Sequence, residues 1–295
     1  MSKDIKVALI GLDTSHTIEF AMRMVAPECP ANQKVAGLKP ITCLRFSTPF
    51  QSEEGMNQRQ TLLETWGIKV TTNFDEAVAG CDAIMIEIND AAYHLEYFTK
   101  CANLGKPIFL DKPLADNIAN GKKIYELAKA KNLKVFSTSS LRFVPQLTGA
   151  CDQMPKPLFT SVFGPLGKAP AGSSIVWYGV HAFEMLERAM GRGAKSVFVK
   201  KDSAGITVIV EYPENRRGVV ELPDGAWVYG GSLRNKEKAL TFVVNMDQAY
   251  TDLVGQIAKF FQTGKTPIDF EDTLEVMAML DGAQRSFDSG REEAI

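Results

Sequence analysis

Several things are scarce in this 295-residue chain, and each scarcity excludes something. There are five cysteines, Cys29, Cys43, Cys81, Cys101 and Cys151, odd in number and never spaced C-x-x-C. That pattern argues against a disulfide framework or a zinc site and for reduced thiols in a cytoplasmic protein, so no metal is expected. No run approaches the ~18 uninterrupted apolar residues of a membrane span, and Met1–Lys6 leads straight into a short apolar strand without a signal peptide's longer apolar stretch. Neither sign of charge dominates: 33 Lys and Arg stand against 35 Asp and Glu, a formal net of −2. This offers no electrostatic case for nucleic acid or an anionic membrane, and the expected partner is a small molecule.

What is present reads as two globular halves. In the first, short apolar runs such as Ile5–Ile10, Ala83–Ile88 and Pro107–Leu110 alternate with helical patterns such as Thr14–Ala26, Glu53–Trp66, Tyr93–Leu104 and Asn117–Lys131. Apolar strands alternating with helices predict a doubly wound, Rossmann-type parallel sheet covered on both faces. The second half has a Pro/Gly-rich stretch from Pro155 to Gly172, a helix over Val180–Met190, five strand-like runs between Ser196 and Val244, and two closing helices, Ala249–Gln262 and Phe270–Phe287. It predicts an α+β domain with a mostly antiparallel open sheet. The expected domains are residues 1–145 for nucleotide binding and 146–295 for substrate and oligomerisation, with the boundary near Arg142–Met154.

The turn after the first strand carries the first candidate site. Dinucleotide-binding folds place G-x-G-x-x-G here, so that pyrophosphate can approach the N–H groups and dipole of the following helix. This chain keeps Gly11 but has Asp13 and His16 at the other two glycine positions. A carboxylate at Asp13 opposes a phosphate unless it turns away or caps the helix, while Thr14 and Ser15 can cap the helix or bond an anion. At the end of the second strand, Arg45-Phe46-Ser47-Thr48 replaces the acidic residue that would accept from a ribose. An arginine followed by hydroxyls suits a 2′-phosphate, so the cofactor expected is NAD(P) with a slight lean to NADP.

The stretch Ile84–Leu114, with His94, Gly105-Lys106 and then Asp111-Lys112-Pro113-Leu114-Ala115, closely resembles the glucose–fructose oxidoreductase/inositol dehydrogenase (Gfo/Idh/MocA) family. Gly179–Gly191 resembles the helix start of that family that carries its acid–base histidine, and the tail from Ala249 resembles its closing helix pair. The resemblance implies that Lys112 lies beside a nicotinamide and contacts the reacting hydroxyl or carbonyl, with His181 as the acid–base histidine. It implies cofactor contacts from Gly11, Asp13, Thr14, Ser15, His16, Arg45, Asn89, Asp111 and Lys112. His94 is expected to fix the loop after the fourth strand.

The chain also departs from the family's pattern. Trp177 stands where an aspartate four residues before the histidine is usual, and Asn89-Asp90-Ala91 replaces Thr-Pro. Arg142, Trp177 and Tyr178, with Lys112 and His181, are the candidate substrate residues. They point to a polar ligand with a hydroxyl or carboxylate. The leading expectation is hydride transfer between nicotinamide and a secondary alcohol or ketone of a sugar, cyclitol or related small metabolite. The alternatives are a non-catalytic relative that senses a nucleotide or metabolite, and a lyase or epimerase that retains its cofactor through a full cycle. A homo-oligomer, dimer or tetramer, is expected through Trp227, Tyr229 and the strand Ala239–Val244.

Overall fold

The computed structural model describes residues 4–295; Met1–Lys3, at the start of the N-terminal segment weighed above, lie outside the described residues. Among the described residues thirteen strands and nine α-helices follow in the order β1 (Ile5–Ile10), α1 (Ser15–Val25), β2 (Leu38–Leu44), α2 (Glu53–Thr65), β3 (Lys69–Thr71), α3 (Phe74–Val78), β4 (Ala83–Ile86), α4 (His94–Ala102), β5 (Ile108–Leu110), α5 (Ile118–Ala130) and β6 (Val135–Phe136). Then follow α6 (Pro145–Gln153), β7 (Phe159–Phe163), α7 (Val180–Met190), β8 (Ser196–Asp202), β9 (Gly205–Glu211), β10 (Arg217–Pro223), β11 (Gly230–Arg234), β12 (Ala239–Val243), α8 (Ala249–Thr263), α9 (Phe270–Ser289) and β13 (Glu293–Ala294). Among the described residues no helix is long and apolar enough to cross a membrane.

The chain divides into two compact units. Among the described residues, the first comprises 4–115, 120–137 and 250–270, and the second 116–119, 138–249 and 271–295. This division differs from a single cut near residue 145, because most of α8 packs with the first unit. Its Tyr250 meets the rings of His16 and Phe20 at 5.1 and 5.6 Å, and Phe260 stands edge-on to Phe136 at 5.0 Å.

In the first unit the strands run β3-β2-β1-β4-β5-β6, all parallel. Val7 to Ile10 and Ala83 to Ile86 are wholly buried, as expected of strands covered on both faces. Each such Val, Leu or Ile contributes roughly 1.5–3 kcal/mol by leaving water. Strand order reverses between β1 and β4, and a ligand crevice lies outside the strand ends at such a point.

In the second unit the order is β12-β11-β7-β10-β9-β8-β13, with every pairing antiparallel except β7 with β10. The mostly antiparallel sheet is the one expected, but its interior strand β7, between β11 and β10, falls inside the stretch read as Pro/Gly-rich. Helix α7 is buried along nearly its whole length. A Cβ on Gly218 would lie 2.7 Å from Leu186, so β10 meets α7 where a side chain is absent.

Candidate functional site

The first unit concentrates buried charge at the ends of β1, β4 and β5. Gly11 has φ +111°, and a Cβ there would sit 2.2 Å from the carbonyl oxygen of Glu87. Glycine is required because the ends of β1 and β4 approach this closely. Two residues on, the Asp13 carboxylate accepts from the backbone N–H of Asn89 (2.8 Å) and Asp90 (3.3 Å) and from the Thr48 hydroxyl (2.7 Å). Burial pushes its carboxyl upward, against the lowering pull of those hydrogen bonds. The Arg59 guanidinium closes the same turn by donating to the Leu12 carbonyl at 2.9 Å.

Asp13 therefore turns away from helix α1. Thr14 is the N-cap, accepting from the His16 N–H at 3.2 Å, and Ser15 stands exposed at the first turn. On that observation the residues fit a pyrophosphate at the α1 terminus, held by first-turn N–H groups and the Ser15 hydroxyl. The side chain of His16, at the third glycine position, points elsewhere: its Nδ1 meets Asp111 Oδ2 at 2.7 Å, and its ring lies 5.0 Å from Phe20.

Lys112 follows β5, joined to Pro113 by a cis peptide, and is 6% exposed. Burial lowers its ammonium from the usual lysine range, while Asp111, Glu87 and Asp13 pull it back up. Burial would raise the Asp111 carboxyl, but His16 and Lys112 outweigh it and hold Asp111 low. Glu87 is pushed well up, by burial first and then by Asp111, with Lys112 opposing. The donor atoms of His16, Glu87 and Asp111 all lie within 4.8 Å of one another, the only such grouping among the described residues. No sequence reading singled out Glu87, although a lone acid inside the apolar run Ile84–Ile88 was a visible signal.

Arg45 lies just past β2. Its guanidinium donates to Gln60 at 2.6 Å and pairs with Glu53. Phe46 stacks on Tyr97 with centroids 4.4 Å apart and planes 14° from parallel. His94 bridges the Ile88 and Leu114 carbonyls at 2.7 and 3.3 Å, and so pins the loops after β4 and β5.

The second unit holds His181 in the first turn of α7, behind a π-helical turn over Ile175–Gly179 that the sequence reading did not anticipate. Such turns occur often at functional sites. The Ser139 hydroxyl and His181 Nδ1 share a hydrogen bond of 2.7 Å. Ser139 is itself held by Glu184, whose carboxylate accepts from Ser139 N–H (3.3 Å), Thr138 Oγ1 (3.1 Å) and Arg142 (3.1 Å). Burial raises the Glu184 carboxyl and these partners oppose it.

Rings gather around His181. Tyr178 and Tyr229 stand edge-on to it at 5.2 and 5.8 Å, Trp177 lies 5.0 Å from Tyr178, and Trp227 lies 5.4 Å from Tyr178. A Cβ on Gly164 would fall 2.6 Å from the Tyr229 ring, so a bare glycine lets this wall close. Trp177, Tyr178 and His181 are thus brought together. Arg142 is committed elsewhere, to Glu184 and, at 2.9 Å, to Asp272. With Glu187 it also lines a cavity of about 740 Å³ within the second unit.

These two units define a fold class: a Rossmann-type domain with a six-stranded parallel sheet, and a domain with an open, mostly antiparallel sheet. Residues 52–139 match the model of an oxidoreductase family with an NAD-binding Rossmann fold. The chain is similar to myo-inositol 2-dehydrogenase from Lactobacillus plantarum, at 15% identity and TM-score 0.81 over 99% of this chain and 100% of that one. It is also similar to myo-inositol dehydrogenase from Lactobacillus casei, solved with NAD(H) and myo-inositol, at 13% identity and TM-score 0.81 over 99% and 97%. A curated relative, YceM of Salmonella typhimurium (strain LT2), is 27% identical over 84 residues, so the chain spans only about a quarter (27%) of its length. The match over residues 52–139 supports the resemblance to the Gfo/Idh/MocA family read from the sequence, and the two solved structures show the same fold.

Proposed function

We propose that this chain is an NAD(P)-dependent oxidoreductase of the cytoplasm, acting on a secondary alcohol or ketone of a sugar, cyclitol or related polar metabolite. The observation that carries the reading is the buried Lys112 ammonium at the end of β5, set among Asp111, Glu87 and Asp13. A nicotinamide, when bound, supplies the hydride acceptor or donor. The α1 terminus with Thr14 and Ser15 holds the pyrophosphate, and Lys112 stabilises charge developing on the substrate oxygen. In the second unit, His181, its ring set by Ser139, is the group suited to proton transfer, and Trp177 and Tyr178 offer flat walls to a ring-shaped ligand. Arg45 meets a 2′-phosphate only by leaving Glu53, so the choice between NAD and NADP turns on that pair.

The test is Lys112→Ala, assayed against a panel of sugars and cyclitols with both cofactors. Turnover should fall about 10²–10⁴-fold while cofactor affinity changes little. Unchanged turnover on every accepted substrate would end the reading.

A second reading is a sensor that binds nucleotide or metabolite without turnover. It is favoured by Asp13, which ties the end of β1 to the loop after β4 at the strand-order reversal. Saturable binding with no activity across the panel would select it. We also propose a homo-oligomer through the region of Trp227, Val228, Val243 and Met246, exposed by 62, 57, 68 and 41%. Light scattering that returns a monomer mass would remove that proposal.

A further inference from the structure

We propose that Glu87 holds a proton in the resting protein and shares it with Asp111, and that on releasing it Glu87 becomes the counter-charge that keeps Lys112 an ammonium. Glu87 acts through Lys112 and is a positioning residue. Its catalytic relevance rests on the proposed role of Lys112, but the linkage between the two side chains does not.

Geometry and charge count carry the proposal. Both Glu87 oxygens and Asp111 Oδ1 are buried without a hydrogen-bond partner, while Asp111 Oδ2 is taken by His16. One ligand atom each of Glu87, Asp111 and His16 lies within 4.8 Å of the others. Three orphan acceptors in that neighbourhood are expensive: each bare buried group costs about 1–3 kcal/mol, and more when charged. Ionised together, Glu87, Asp111 and Asp13 would set three negative charges about the Lys112 ammonium, while His16 is engaged with Asp111. A proton on Glu87 removes one of those charges and places an O–H among the orphan acceptors.

The other titratable groups facing this cluster agree. His16 comes from α1 and bonds Asp111, and Asp13 acts on Lys112 from the β1 turn. Cys43, from β2, donates its thiol to the Gly11 carbonyl at 3.5 Å; burial, then Glu87, pushes that thiol up, so it adds no negative charge. Once Glu87 gives up its proton, the new carboxylate holds the ammonium to higher pH.

The experiment compares wild type with Glu87→Gln by infrared spectroscopy and by pH-dependent reductive methylation of Lys112, read by peptide mass spectrometry. The wild type should show a neutral carboxylic-acid carbonyl band at neutral pH that Glu87→Gln lacks. The midpoint of Lys112 methylation should fall in the variant by about 1 pH unit or more, the size of effect an opposite charge exerts at this range. A spectrum with no Glu87-dependent acid band, or an unmoved Lys112 midpoint, overturns the proposal. So does one equivalent of divalent metal in the purified protein. Should Glu87→Gln not fold, Glu87→Met serves the methylation arm and isotope-labelled glutamate in wild type serves the spectroscopic arm. Neither readout uses turnover: a silent Lys112→Ala with a shifted midpoint sinks the oxidoreductase reading alone, and the converse sinks only the linkage.

Discussion

The two units bury carboxylates in opposite ways. In the second, Glu184 is 2% exposed and bonded to Thr138, Ser139 and Arg142, so it fastens the segment that carries Ser139 and thereby orients His181. In the first, Glu87 is wholly buried and bonded to nothing. A fully satisfied buried carboxylate is a structural brace, and its removal should cost stability. An unsatisfied one survives only by taking a proton or answering a neighbouring cation, and its removal should change chemistry. Glu187, on the same helix as Glu184, belongs with Glu87 in this respect: its oxygens are orphaned, and burial, then Glu275, pushes its carboxyl to about 8.

The contrast can be broken most directly at Glu184. Glu184→Ala leaves the Arg142 guanidinium buried with one partner fewer, and chemical denaturation should show a loss of about 3–5 kcal/mol. A loss under 1 kcal/mol would mean the brace is idle. Next in size is the pH response of Glu187. Its folded value is raised, so the native state binds a proton that the unfolded chain has released between the ordinary glutamate range and about pH 8. Stability should therefore be full below the unfolded value and fall by a few kcal/mol as pH climbs through that window. Glu187→Gln should flatten the slope in melts taken across pH, and an unaltered slope would remove Glu187 from this class.

Smaller effects sharpen the same comparison. Ser139→Ala frees the His181 ring, and the pH–rate profile should shift with roughly a tenfold loss of turnover, the fold and cofactor affinity being kept. Smallest is Glu53→Ala, which releases Arg45 from an exposed pair worth about 0.2–1 kcal/mol. The ratio of NADP to NAD affinity should rise by at most about fivefold; a fall would reverse the assigned cofactor lean.

The sequence made the first sheet legible because its central strands β1, β4 and β5 are largely buried and read as unbroken apolar runs, with Gly11, Gly67, Gly80 and Gly105 punctuating the elements around them. The second sheet was harder. Strand β7 is the five residues Phe159–Phe163, with alternating burial, and the surrounding prolines and glycines masked its period of two. Helix α6 lay under the presumed linker, although Pro145 at its first position is a start signal. Gly11, Lys112 and His181 were singled out from pattern and resemblance, as were His16 and Asp111. The pairings around them were not legible, because Asp111 reaches His16 across 95 residues, and Glu184 reaches Ser139 across 45. Only folding brings such charges together, and Tyr250 joins the first unit from the far end of the chain for the same reason.

The oxidoreductase reading requires the first turn of α1 to accept a pyrophosphate while Asp13 stays tied to Asn89 and Asp90. Calorimetric titration of the purified chain with NADH and NADPH tests this most directly. The account predicts one saturable site per chain for at least one of them, with sub-millimolar affinity. No binding of either at millimolar concentration would contradict it.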